Sequence, residues 1–140
     1  MLGHSYSIMP MRIQLLVQRR FCSTMLLETR RDGVFALFFN TTGVDNTGVG
    51  DRALQSNDSG SGNTAVDSGA LFSNTTDDAN TAVGFNALFS NTEGDSNVAI
   101  GVGRAGQNTT GNGNIALGFL SSSDLTAGDN NIYIGNIGCC

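Results

Sequence analysis

The stretch "NTAVGFNALFSNTEG", Asn80 to Gly94, decides how this chain folds. It has no lysine, arginine, histidine or cysteine and a single acid, Glu93, so it offers little for catalysis. Yet small and apolar residues alternate in it too regularly for a linker. Its opening asparagine recurs at Asn46, Asn63, Asn80, Asn97, Asn114 and Asn131, every 17 residues without a slip. A short fixed period marks a repeat architecture, in which each unit buries its apolar face only by stacking on its neighbours.

The units open as "NTGVG", "NTAVD", "NTAVG", "NVAIG", "NIALG" and "NIYIG". Each is an asparagine and an alternating apolar run, usually closed by glycine, which is the pattern of a short strand. The second half of the unit reads "ALFFN", "ALQSN", "ALFSN" and "ALFSN" from Ala36, Ala53, Ala70 and Ala87. It is predicted to be a second short strand. Turn formers fill the space between, and Gly43, Gly60, Gly94, Gly111 and Gly128 share one register, which predicts a turn position with positive φ. Asp77 stands once in that register.

Two strands and two turns at constant length describe one coil of an all-β parallel β-solenoid, or β-roll, of about six 17-residue coils. Stacked strands are spaced about 4.8 Å apart, so six coils would make a rod of about 29 Å. Constant length follows from the ladder, which breaks unless equivalent residues lie above one another. The column Asn46, Asn63, Asn80, Asn97, Asn114 and Asn131 is predicted to form an amide ladder, each side chain donating to the next. Alternation is read as turning Val49, Val66, Val83, Ile100, Leu117 and Ile134 into the coil interior, joined by Leu37, Leu54, Leu71 and Leu88. The neighbours Phe38, Phe72 and Phe89 then face outward, and a stacked aromatic column in water is an expected oligomer interface. So thin a coil buries little surface alone, which also points to self-association.

The charge is uneven along the 140 residues. Residues 1–32 carry five arginines against Glu28 and Asp32, whereas from Gly33 onward only Arg52 and Arg104 oppose ten acids. The shift divides an N-terminal extension, 1–32, irregular or with a short helix at Met11 to Arg19, from a repeat domain, 33–140. An acidic body without a basic stripe argues against nucleic-acid binding. The apolar run "IQLLV" is too short and interrupted for a secretory core or a membrane span, so neither an export signal nor a span is visible. Cys22, Cys139 and Cys140 lack zinc-site spacing.

No catalytic constellation emerges, and an enzyme is not expected. The single histidine, His4, lies in the extension with no partner triad in the body. Asp77 with Asp78 and Glu93 with Asp95 are read as solvated turn acids. "GVGRAG", Gly101 to Gly106, has the glycine spacing of a dinucleotide fingerprint but no βαβ pattern around it. No cofactor or metal is expected. Calcium is the nearest candidate, since "GDSNVAIG" and "GDNNIYIG" echo a calcium-binding β-roll nonapeptide. Against it, the period is 17, and the column Val44, Ser61, Asp78, Asp95, Asn112, Asp129 is only half acidic.

"NTAVGFNALFSNTEGDSNVAIG" and the closing "LTAGDNNIYIGN" resemble the repeat arrays of bacterial surface and tail-fibre-like proteins related to the head of trimeric autotransporter adhesins, over Gly33 to about Gly138. Asp67, in place of the strand-ending glycine, and Tyr133, in place of a small residue, depart from the pattern. The resemblance implies a left-handed parallel β-roll assembled as a homotrimer. It also implies an extracellular or cell-surface location and a structural or adhesive role, with a host surface, matrix or glycan as ligand. Two alternatives are a phage-type fibre segment that binds a glycan receptor, and an ice- or mineral-binding solenoid using the threonine column Thr41, Thr75, Thr92, Thr109 and Thr126.

Overall fold

The structure is a computed structural model that describes residues 29–102, 110–119 and 127–135. The short helix expected at Met11 to Arg19, His4 and all three cysteines lie outside these residues. Seven three-residue strands follow one another: β1 (Arg30–Asp32), β2 (Thr47–Val49), β3 (Thr64–Val66), β4 (Thr81–Val83), β5 (Val98–Ile100), β6 (Ile115–Leu117) and β7 (Ile132–Ile134). They form one parallel sheet in the order β1 to β7, and every pairing sets residue i against i+17, from Arg30 on Thr47 to Ile134 on Leu117. Parallel neighbours that are also neighbours in sequence require the chain to return to the same edge after each strand, and that makes a β-solenoid. β1 lies inside the segment assigned to the extension, so the coil register reaches back to Thr29, one period before Asn46.

The second half of the coil is not a strand. Leu37, Leu54, Leu71 and Leu88 have φ of 50°, 52°, 49° and 49°, in the left-handed region, which costs an L-residue roughly 1–2 kcal/mol. Turn bonds follow each leucine: Asn57 N–H donates to the Leu54 carbonyl at 3.2 Å and Asn74 N–H to that of Leu71 at 3.3 Å. The sequence already holds the reason. In a strand, consecutive side chains point to opposite faces, yet Ala53 and Leu54, and again Ala70 and Leu71, are buried side by side. Only a turning backbone can send both inward. Bonds between coils continue through this half, as from Leu54 N–H to the Ala70 carbonyl and from Arg52 N–H to the Val34 carbonyl, at 3.0 and 2.8 Å.

The core corrects the face assignment. Gly48, Ala65, Ala82, Ala99 and Ala116, the middle residues of β2 to β6, point inward and are buried, while the valines and isoleucines beside them point outward. Val49, Val66, Val83 and Leu117 are half-buried on the outer side, and Ile100 and Ile134 are 46% and 77% exposed. Alternation fixes two faces without saying which is inside, and here size decides. The leucines fill the coil from the opposite wall, so closely that a Cβ on Gly48 would sit 3.2 Å from Leu37 Cδ1. Leu37, Leu54, Leu71 and Leu88 are interior, with 0–3% exposure. A roll this narrow accepts leucine on one side only with glycine or alanine on the other.

Candidate interaction surfaces

Three side-chain ladders run along the roll, and together they determine what its surface leaves free. Asn46, Asn63, Asn80, Asn97 and Asn114 are buried. Their side chains do not donate to one another as expected. Each Oδ1 accepts the backbone N–H of the asparagine one coil on, as from Asn63, Asn80, Asn97 and Asn114 at 2.8–2.9 Å. The half-buried Asn131 makes both bonds: its N–H and, as the predicted ladder has it, its Nδ2 each donate to Asn114 Oδ1 at 3.0 Å. The amide nitrogens cross the coil instead: Asn46 Nδ2 donates to the Gly60 carbonyl at 2.6 Å and Asn97 Nδ2 to that of Gly111 at 2.7 Å. Burying an amide is tolerable only when its donors and acceptor are used, and these are.

The amide-to-amide ladder belongs to a second column that sequence reasoning passed over: Asn40, Asn57, Asn74 and Asn91, the last residues of "ALFFN", "ALQSN" and "ALFSN". Asn57 Nδ2 donates to Asn40 Oδ1 at 2.6 Å, Asn74 Nδ2 to Asn57 Oδ1 at 2.9 Å and Asn91 Nδ2 to Asn74 Oδ1 at 3.4 Å. Its 17-residue spacing was present in the sequence, hidden by being read as a strand end.

Between the two asparagine columns runs the glycine register. Gly43, Gly60 and Gly94 do not take the predicted positive φ, and what they supply is room, whereas Gly128 does take it, at 154°. A Cβ on Gly43 would lie 2.6 Å from Asn40 Oδ1 and 2.8 Å from Asn46 Nδ2, and would also run into the Gly60 carbonyl oxygen. The positive-φ turn lies two residues on, at Asp45, Gly62, Ala79, Ser96, Gly113 and Asn130.

Asp77 stands in the glycine register and is buried, at 5% exposure. Its carbonyl keeps the glycine's role, accepting Asn63 Nδ2 at 2.7 Å and Asn74 Nδ2 at 3.0 Å, while its carboxylate Oδ2 accepts Asn91 Nδ2 at 3.3 Å. Burial, reinforced by the negative charges of Asp95 and Glu93, raises its pKa to about 6 against hydrogen bonds from Thr76 and the Gly94 backbone.

The third ladder is exposed and is the column weighed for calcium. Asp78 Oδ1 accepts Ser61 N–H at 2.7 Å, and Asp95 Oδ1, Asn112 Oδ1 and Asp129 Oδ1 accept the N–H groups of Asp78, Asp95 and Asn112 at 2.8 Å. Ser61 Oγ does the same for Val44 N–H at 3.2 Å. Acid, amide and hydroxyl interchange in this column because each supplies one acceptor oxygen. Among the described residues no group of His, Cys, Asp and Glu could hold a metal ion.

Outside the ladders, the surface carries apolar and threonine columns. Phe72 and Phe89 stack face to face, with centroids 4.7 Å apart and planes 2° apart, and both are half-buried. Phe38 does not continue that stack. Gln55 occupies the register between Phe38 and Phe72, and Phe38 instead meets Phe35 and Phe39 edge to face at 5.4 and 4.9 Å. A second apolar area is the outer side of the sheet, with Val98, Ile115 and Ile132 in one column and Val83, Ile100, Leu117 and Ile134 in the other. Phe85, Val102 and Phe119, all exposed, stand two residues beyond. Of the threonine column, Thr41, Thr75 and Thr92 are exposed, and the Thr41 hydroxyl donates to the Asp58 carboxylate. No helix among the described residues is long and apolar enough to cross a membrane.

No family model matches this chain, and neither the curated proteins nor the solved structures contain a match to it.

Proposed function

We propose that the chain is a structural or adhesive module of a fibrous surface protein that works as a homo-oligomer, with the outer side of its sheet turned toward neighbouring copies. The observation that carries this reading is the outward Val, Leu and Ile surface on β4 to β7, extended by Phe85, Val102 and Phe119. Such a continuous apolar surface is unusual on a soluble monomer and is covered in functional assemblies. Phe72 and Phe89, stacked on each other and half-buried, add a smaller aromatic patch to the surface such an assembly can cover. Copies packed sheet to sheet would bury the face of each, and the resemblance of the repeats to trimeric surface-protein heads is what favours three copies. The role is mechanical and adhesive, with ligand contact left to the exposed turns, and it places the module outside the cell.

Sedimentation equilibrium with cross-linking across a wide concentration range tests this. A homotrimer is the expected result. A chain that stays monomeric at high concentration, with its sheet signal intact, sinks the proposal.

A further inference from the structure

The second asparagine column has a chemical property that its packing role does not explain. Asn40-Thr41-Thr42, Asn57-Asp58-Ser59 and Asn74-Thr75-Thr76 are each an Asn-X-Ser/Thr acceptor for N-glycosylation. A fourth acceptor, Asn108-Thr109-Thr110, has its asparagine outside the described residues. Such acceptors are ordinarily found on surface loops. Here Asn57 and Asn74 are 0% exposed.

We propose that Asn57 and Asn74, with the half-buried Asn40, are N-glycosylation sites open only before the coils close, so that modification and folding exclude each other. The donor class is a sugar carried on a diphosphate. Asn Nδ2 attacks sugar C1, the C1–O bond to the diphosphate breaks, the nucleoside or lipid diphosphate leaves with the bonding pair, and one Nδ2 hydrogen departs as a proton. In the closed roll neither hydrogen of these amides is spare. Asn57 Nδ2 donates to Asn40 Oδ1 at 2.6 Å and to the Gly60 carbonyl at 2.8 Å. Asn74 Nδ2 donates to Asn57 Oδ1 at 2.9 Å and to the Asp77 carbonyl at 3.0 Å. Modification would remove one of these donors and drive a sugar ring into a column whose adjoining glycine register has no space even for a Cβ, as at Gly60 with Asn57 Oδ1 at 2.6 Å. The enzyme also needs the acceptor in an extended, accessible form, which the closed turn denies. Asn91 provides a control within the chain: it occupies the same column, donates to the Gly94 carbonyl at 2.7 Å, and is followed by Thr92-Glu93, which no such enzyme accepts.

The test uses a soluble N-glycosyltransferase with UDP-glucose as donor. One arm co-expresses enzyme and full chain, so that the nascent polypeptide is the substrate; the other adds enzyme to the purified folded chain. Peptide mass spectrometry should find glucose on Asn57 and Asn74 in the first arm. In the second, modification should be at least about a hundredfold slower, since only the unfolded fraction can react. The modified chain should lack the sheet signal in circular dichroism, while the T42A/S59A/T76A/T110A variant, co-expressed identically, should escape glucose and keep that signal. Equal rates on folded and nascent chain would overturn the proposal. So would a fully folded chain carrying glucose on Asn57 or Asn74, or a nascent chain left bare by an enzyme that modifies a peptide spanning 69–79.

Discussion

From β2 to β6 the inner side of the sheet scarcely changes, running Gly48, Ala65, Ala82, Ala99 and Ala116, and the end strands β1 and β7 depart with Arg31 and Tyr133. The outer side changes markedly over the same distance. β2 and β3 show water Thr47 and Thr64 beside half-buried valines, with Asp51 and Ser68 further out, and β4 is the transition, with Thr81 on one side and the exposed Phe85 on the other. β5 to β7 show Val98, Ile115 and Ile132 beside Ile100, Leu117 and Ile134, with Val102 and Phe119 further out. Since the two regions share one backbone register and one interior, the difference cannot concern how a coil closes. It concerns the surface each part of the roll presents, and under the proposed function it is the apolar face on β5 to β7 that meets neighbouring copies.

The largest effect should come from setting one region against the other. Ile100→Lys with Ile115→Lys places two charges on the apolar half, and burying an unpaired charge costs several kcal/mol, so the dissociation constant should rise at least about a hundredfold. Thr47→Lys with Thr64→Lys, at equivalent depth on the polar half, should leave the sedimentation profile nearly unchanged. Equal weakening by both pairs would erase the distinction between the halves.

Next in size is a change to the shared interior. Ala82→Leu overfills a position that is 0% exposed and should destabilise by about 2.5 kcal/mol in urea unfolding. Ala116→Leu, in the apolar half, should cost a similar amount if the interior is as uniform as it looks. Removing an amide comes third. Asn74→Ala strips a donor from the Asp77 carbonyl and from Asn57 Oδ1 and takes the acceptor from Asn91, for a loss of about 2 kcal/mol.

The smallest effect is titratable and confined to the polar half. Asp77 has a folded pKa of about 6, above its unfolded value of 3.8, so the folded roll holds this proton more tightly than the unfolded chain does. The stability it contributes is fully present below the unfolded value and is lost as pH rises through about 6. Asp77→Asn should therefore raise the melting temperature at pH 7.5 and leave it almost unchanged at pH 4. An identical pH dependence in both proteins would remove Asp77 as its source.

Much of this molecule could be read from residue spacing. The 17-residue period gave the coil, and the strand openings "NTGV" to "NIYI" match β2 to β7 with their asparagine columns. What spacing could not give was depth. Val83 and Ala82 alternate identically whichever points inward, and the answer depends on the distance to Leu71 and Leu88 across the coil, which no local pattern encodes. The second half misled for a related reason. Ala-Leu, followed in three of the four units by Phe, looks like a strand in a propensity reading, and only the need to bury two adjacent residues turns it into a left-handed bend. At Gly43, Gly60 and Gly94 the register is steric where spacing predicts a positive φ, because a carbonyl from the next coil is invisible to a sequence, while Gly128 has the predicted φ. The apolar outer face, finally, carries the residues that alternation predicts for the interior, Ile100 and Ile134 among them.

The buried ladder and the exposed ladder run in opposite senses: Asn63 N–H reaches back to Asn46 Oδ1, whereas Ser61 N–H reaches forward to Asp78 Oδ1. Every coil thus presents to both neighbours a complete set of sockets and plugs that does not depend on its place in the row. Duplicating or deleting 17 codons would lengthen or shorten the rod by one step of about 4.8 Å and leave each remaining junction chemically unchanged. Reach is therefore a quantity that recombination can adjust by whole units, separately from whatever the outer columns are selected to touch.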